Sequence, residues 1–289
     1  MSIVNDCMVV NLQIGIWMGY RLDKSASAKV TIEAGAEQDA ARVNKHLVPK
    51  ESLKHIVSAS SAVRNHFYEK TLPWKDNGDR LLTRKMYMSF VEEHGRLQSE
   101  FYSAVDTFLE VQYPKARDQA SFRMGDLFNP NDYPSSNELH RKFYISLDID
   151  SVTEANDFRV QLSSEAEDRA VREQMERAMA DRISRAMGDV WTRLSTVLGH
   201  FAAKMGSDDV FRDTTVGNLE ELVELLPALN VTNDPRLTQI GEDIARTLVG
   251  YAPKDLRANK ATRSMVADEA KRIMEDMSGF MNAFGGSNA

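Results

Sequence analysis

Residues 163–206 run without a proline, and the first glycine among them is Gly188. A stretch like this reads as one helix roughly 65 Å long, at about 1.5 Å per residue. Its inward positions are Val171, Met175, Met179, Ile183, Ala186, Val190, Leu194, Val197, Phe201 and Met205. The steps of four, four, four and three repeat every eleven residues, a rhythm of straight or slightly right-handed packing rather than a heptad zipper. Residues 79–112 carry the same rhythm at Leu82, Met86, Phe90, His94, Leu97, Phe101, Val105, Phe108 and Gln112. The two segments are therefore expected to pair as long antiparallel helices. Residues 171–185 hold more charge and methionine than the stretch beyond Val190, so the first half is expected to project past the core as a partly exposed coiled coil.

The other segments are set by period and punctuation. From Met8 to Arg21 apolar residues alternate, the mark of a half-buried strand. Residues 23–35 are small, polar and aperiodic and read as a loop. Residues 38–48 fit a short strand or a helical turn equally well. Pro49 opens a helix to about residue 70, with Leu53, Ile56, Val57, Val63 and Phe67 inward. Residues 71–78, with Pro73 and Asn77-Gly78, form a turn before the 79–112 helix. A short helix at 115–128 leads to a rigid turn at 129–134, and one helical turn follows at 136–141. Alternation at 143–149 and 158–162 predicts a β-hairpin around an acidic loop, the partner of the first strand. Helices are expected at 216–229, 235–249 and 253–283. The last carries the stripe Val266, Ala270, Ile273, Met277, Phe280 and Phe284. The fold class is mainly α: an elongated bundle with two long antiparallel helices and a small antiparallel sheet at one end. Residues 1–206 form the main body. Residues 207–289 form a helical region that packs on it or mediates oligomerisation.

Composition bounds the function. With 289 residues, 42% hydrophobic, the chain can bury a core of one elongated domain or two small ones. A net charge of −7 does not favour nucleic acid overall, although a local basic patch can still bind it. Cys7 is the single cysteine, which fits a reducing cytoplasm. The start has no basic region and places Asp6 before its apolar run, so no signal peptide is expected. That run is too short to cross a bilayer, and no membrane partner is expected.

No catalytic, cofactor or metal signature stands out. Phosphate-binding glycine loops, HExxH, CxxC and GxSxG are all missing. His46, His55, His66, His94, His140 and His200 are scattered, and His94 sits on an apolar stripe as a core histidine would. Asp148, Asp150, Glu154 and Asp157 are the densest carboxylates, but without the spacing of a calcium loop they read as a solvated hairpin rim. Lys254, Arg257, Lys260 and Arg263 recur every three residues as a short basic stripe suited to phosphate or DNA contacts. Methionines at 175, 179, 187, 265, 274, 277 and 281 suit an adaptable surface. Met175, Met179, Met274, Met277, Phe280, Met281 and Phe284 are the candidate partner or oligomer surface.

A resemblance adds to this. Thr71-Leu72-Pro73-Trp74, Gly78 and Arg80-Leu81-Leu82, then Asp132-Tyr133-Pro134 and Asp157-Phe158-Arg159-Val160, follow one another in an order similar to an uncharacterised, largely phage-encoded helical family. Proteins of that kind are encoded in phage genomes, and in some bacteria beside a MoxR-type AAA+ ATPase and a von Willebrand factor A protein. The resemblance implies viral or prophage origin and a partner-dependent role, and it transfers no catalytic residue. The expected function is a non-enzymatic oligomeric scaffold or adaptor, binding itself or another phage or host protein in the host cytoplasm. The alternative is a DNA-associated recombination or replication accessory protein using the basic stripe.

Overall fold

A computed structural model describes residues 3–153, 164–207 and 209–285, the last seven by backbone alone. In chain order the elements are α1 (Ile3–Asp6), β1 (Cys7–Gly15), β2 (Tyr20–Asp23), α2 (Lys24–Glu33), β3 (Val43–His46), α3 (Lys54–Lys70), β4 (Leu72–Pro73) and β5 (Arg80–Thr83). Next come α4 (Tyr87–Thr107), a π-helical segment (Phe108–Gln112), α5 (Tyr113–Asp118), α6 (Ala120–Met124), α7 (Ser136–His140) and β6 (Tyr144–Ser151). The chain ends with α8 (Glu165–Gly206), α9 (Thr214–Leu229), α10 (Pro235–Thr247), α11 (Pro253–Ala258) and α12 (Lys260–Gly285). The fold is mainly α, with a small antiparallel sheet. The sheet order is β4-β5-β1-β6, and β2 and β3 make a separate pair. The second predicted hairpin strand, 158–162, lies outside the described residues.

The chain divides into two compact units. Unit 1 holds residues 1–11, 68–90 and 148–289, and unit 2 holds 12–67 and 91–147. The division does not fall at residue 206, where sequence placed it: the C-terminal helices share unit 1 with α8.

In unit 1, β5 pairs antiparallel with β1, Cys7 opposite Thr83 and Val10 opposite Arg80, and with β4, Leu72 opposite Leu81. Residues 80–83 are thus strand, where a helix from residue 79 was expected. The Asn77-Gly78 turn, with Gly78 at φ +93°, closes a hairpin first and the helix starts only at Tyr87. The turn is tied: Trp74 and Lys75 donate backbone N–H groups to the Asp79 carbonyl, and Asn11 donates to the Asp79 carboxylate at 3.0 Å.

The long partner of α8 inside unit 1 is α12, not the 79–112 segment, most of which belongs to unit 2. The packing is antiparallel. A Cβ on Gly206 would meet Ala267 at 3.8 Å; seven residues back along α8 and seven forward along α12, one on Gly199 would meet Met274 at 3.4 Å. The expected apolar rhythm is buried at Ala186, Val190, Leu194, Phe201 and Met205. A second row, Met187, Trp191, Leu198 and Ala202, is buried beside it. Two rows are needed because this half of α8 touches α12, α9 and β4 at once.

Unit 2 gathers Trp17, Ile56, Val63, Phe101, Phe108, Tyr113 and Phe143 into one core. Trp17 stands edge-on to Tyr113, ring centres 5.7 Å apart. The strand expected to run from Met8 to Arg21 breaks before Gly19, whose φ is +67° and whose Cβ would lie 2.7 Å from Val48. Only glycine fits that corner. Residues 24–33, expected as loop, form α2. Asp23 caps it by accepting the Ala26 N–H at 2.9 Å, and it buries Ser27 and Thr31 rather than its apolar residues, so no hydrophobic period announces it. Val57, expected inward, is 39% exposed; Ser60 and His66 are buried on that face instead.

Candidate functional site

The arginines of the predicted basic stripe are built into unit 1. The chain from 253 to 285 is two helices, because Asn259 leaves the helical backbone and its side chain accepts the N–H groups of Ala261 and Thr262 to cap α12. Arg263 reaches back to the end of α8. Its Nε donates to the Met205 carbonyl at 3.1 Å, and its Nη2 donates to those of Lys204 at 2.6 Å and Asp209 at 2.7 Å. The last carbonyls of a helix have no partner within it, and a cation is favoured there by the dipole. Arg257 donates to the Phe211 carbonyl at 3.1 Å and pairs with Asp213. The guanidinium groups of Arg257 and Arg263 lie 4.9 and 5.1 Å from the centre of the buried Phe211 ring. Lys254 and Lys260 are exposed. The structure therefore does not present the four cations as one open phosphate-binding row: its two arginines form a clamp on the α8–α9 connection.

The buried half of α8 has a second such device nearer its middle. Arg193 donates to the carbonyls of Glu69 at 2.9 Å and Thr71 at 2.8 Å, and pairs with Asp189 at 2.6 Å. Arg80 donates to the Thr71 hydroxyl and carbonyl and lies 4.8 Å from the Tyr68 ring centre. Burial and the neighbouring Arg193 push the Arg80 pKa down. Trp74 is buried, and Arg182 stands 5.9 Å from its ring centre. The Thr71–Trp74 and Arg80 motif is thus a seat for α8.

The Asp132-Tyr133-Pro134 motif has a comparable role in unit 2, one that sequence spacing does not reveal. Lys45 reaches Asp132 at 2.6 Å, Asp23 at 3.1 Å and the Leu127 carbonyl at 3.1 Å; Arg21 reaches Asp132 at 3.1 Å. The Asp132 carboxylate raises the Lys45 pKa. The Ala26 N–H and then Lys45 hold the Asp23 carboxyl below its ordinary value. The Tyr133 hydroxyl donates to the Leu47 carbonyl, and that of Tyr113 to the Pro134 carbonyl. A buried charge cluster so fully paired fixes loops; its ions have little freedom for chemistry.

His94 is buried, and so is His66. Desolvation, and then His66, lowers the His94 pKa. Asp148 and Asp150 are exposed on β6, while Glu154 and Asp157 lie outside the described residues. Among the described residues, no three His, Cys, Asp or Glu side chains converge as metal ligands, and no helix is long and apolar enough to cross a membrane. A cleft of about 400 Å³ opens between α9 and α10, lined by Lys85, Leu226, Pro227, Asn230, Leu237 and Glu242. Asn230 is already committed there, donating to the Asp234 carbonyl and to Thr238.

The remaining candidates divide by position. Met277 is buried and Met274 half-buried against α8, so both serve the α8–α12 contact. Phe280, Met281 and Phe284 lie outside the described side chains. Met175 and Met179 are different. From Glu165 to Arg185 α8 fully buries no residue, and Val171, Met175, Ala178, Met179 and Ile183 are half-buried along one side. Carried eleven residues beyond Met274, the antiparallel register brings the last residue of α12, Gly285, level with Gly188. The first half of α8 therefore extends past the end of its long partner. Among the described residues of the candidate partner surface, Met175 and Met179 keep part of their side chains open to solvent. No family model, curated protein or solved structure matches the chain.

Proposed function

We propose that this protein is a non-enzymatic helical scaffold or adaptor of phage origin that oligomerises and acts through protein contacts in the host cytoplasm. The observation that carries this reading is the half-buried apolar side of α8 between Glu165 and Arg185, on a helix whose other half is firmly seated. Apolar residues held at the surface of a long helix, rimmed by charge, suit another helix better than a small molecule. Methionine suits such a face because its side chain adapts to its partner. Phosphate contacts are a weaker account of the chain, because Arg257 and Arg263 are engaged with backbone carbonyls and Phe211. The test is the molar mass in solution, by light scattering or sedimentation, with a pull-down from expressing cells. An oligomer, or a defined protein partner lost on Met175→Asp, is the expected result. A strict monomer that retains no partner would overturn the proposal.

A further inference from the structure

We infer that the first half of α8 pairs antiparallel with the same segment of a second copy, with Met175 on the two-fold axis. This rests on the scaffold reading and names its partner and geometry. The charge order along the helix sets the direction of pairing. Its first turn carries Glu165 and Glu167, and its far end carries Arg185. A parallel pairing would set acid against acid and base against base. An antiparallel pairing sets each end against its opposite and also opposes the helix dipoles.

The match holds residue by residue. At about 100° per residue, Arg172 and Glu176 fall on one flank of the Met175 line, about 60° and 100° from it. Glu167 and Arg185 fall on the other flank, each about 80° away. With Met175 on the axis, Arg172 of one copy comes beside Glu176 of the other, and Glu167 beside Arg185. Symmetry repeats both pairs. Between the flanks Val171 meets Ala178 and Met179, and Met175 meets itself. Arg172, Glu176 and Arg185 are exposed, the last in an ion pair with Asp76, itself 94% exposed. Such a surface pair exchanges partners at little loss.

The test uses charge reversal in the full-length protein. Arg172→Glu and Glu176→Arg should each weaken self-association at least tenfold, measured by sedimentation equilibrium at low salt. Mixing the two single variants should restore a heterodimer, since the glutamate introduced in one chain then faces the arginine introduced in the other. The double variant should restore the homodimer. Circular dichroism checks that each variant keeps its helix content. Oligomers that ignore both reversals, or that show no rescue on mixing, would overturn the inference and leave the scaffold reading in place. A monomeric wild-type chain that still captures a defined protein partner would also overturn it. A monomer with no partner would overturn both.

Discussion

The two halves of α8 share one apolar rhythm and differ in what covers it. From Ala186 to Met205 the rhythm is buried, doubled by a second row, and held near its middle by Arg193 and at its C-terminal end by Arg263. From Glu165 to Arg185 the same spacing is only half-buried, and Arg182 and Arg185, at its end, reach Trp74 and Asp76. Periodicity reports that a helix has an apolar side. It does not report whether the partner for that side lies in the same chain. Tertiary anchors decide that here: where carbonyls of the 69–71 segment and of the α8 terminus accept arginine donors, the helix is part of a core.

The sharpest way to break this contrast is to empty one position in each half. Phe201→Ala, in the buried half, removes a side chain with no exposure and should destabilise the protein by about 3–5 kcal/mol, read from urea midpoints. Met179→Ala, in the other half, should change the stability of the dissociated chain by less than about 0.5 kcal/mol. Comparable losses at both positions would mean that the halves are equally buried. The next largest effect tests the anchors. Arg263→Met keeps the aliphatic stem but removes donors to three carbonyls, and should cost about 2 kcal/mol by thermal or urea unfolding. Hydrogen exchange then sharpens the comparison amide by amide: at concentrations where the chain is dissociated, the segment from Val190 to Met205 should outlast that from Glu165 to Arg177 by at least tenfold.

The smallest effect lies outside α8 and serves as a control. Because burial lowers the His94 pKa below its ordinary 6.5, the unfolded chain binds the proton more readily than the folded one. Stability is full above pH 6.5 and declines as pH falls below it. The depressed Asp23 carboxyl adds a second loss in the same direction, as pH falls through the range below its ordinary 3.8. Urea midpoints at pH 7.5 and 5.5 should differ in wild type and in Met179→Ala alike, and the difference should shrink in His94→Asn.

Long-range apolar spacing was the most legible property of the chain. The positions predicted inward from Leu82 to Phe108 are buried, even though Leu82 sits on a strand. Local hydrogen bonding was less legible. The Asn77-Gly78 turn closes a hairpin where the sequence predicts a turn leading straight into a helix, and α2 carries no hydrophobic period because its inner face is Ser27 and Thr31. The roles of charged residues were the least legible. Lys254, Arg257, Lys260 and Arg263 look alike in spacing, yet Arg263 is tied to carbonyls at the end of α8 and Arg257 to the Phe211 carbonyl and Asp213. Lys45 and Asp132 meet only because the fold joins a strand to a turn far along the chain. Neither relation has a period to find.

The most direct measurement is a crosslink at the centre of the exposed half. Cys7 is buried and its thiol is pushed up to about 12 by burial and then Asp6, so it reacts slowly and need not be removed. Met175→Cys therefore adds one reactive thiol on the inferred axis. Val210→Cys, at a residue 90% exposed, adds one away from it. Under mild oxidation the account predicts a covalent dimer that forms rapidly through the thiol at position 175 and slowly through the one at position 210. Equal, slow dimerisation of both variants would contradict it.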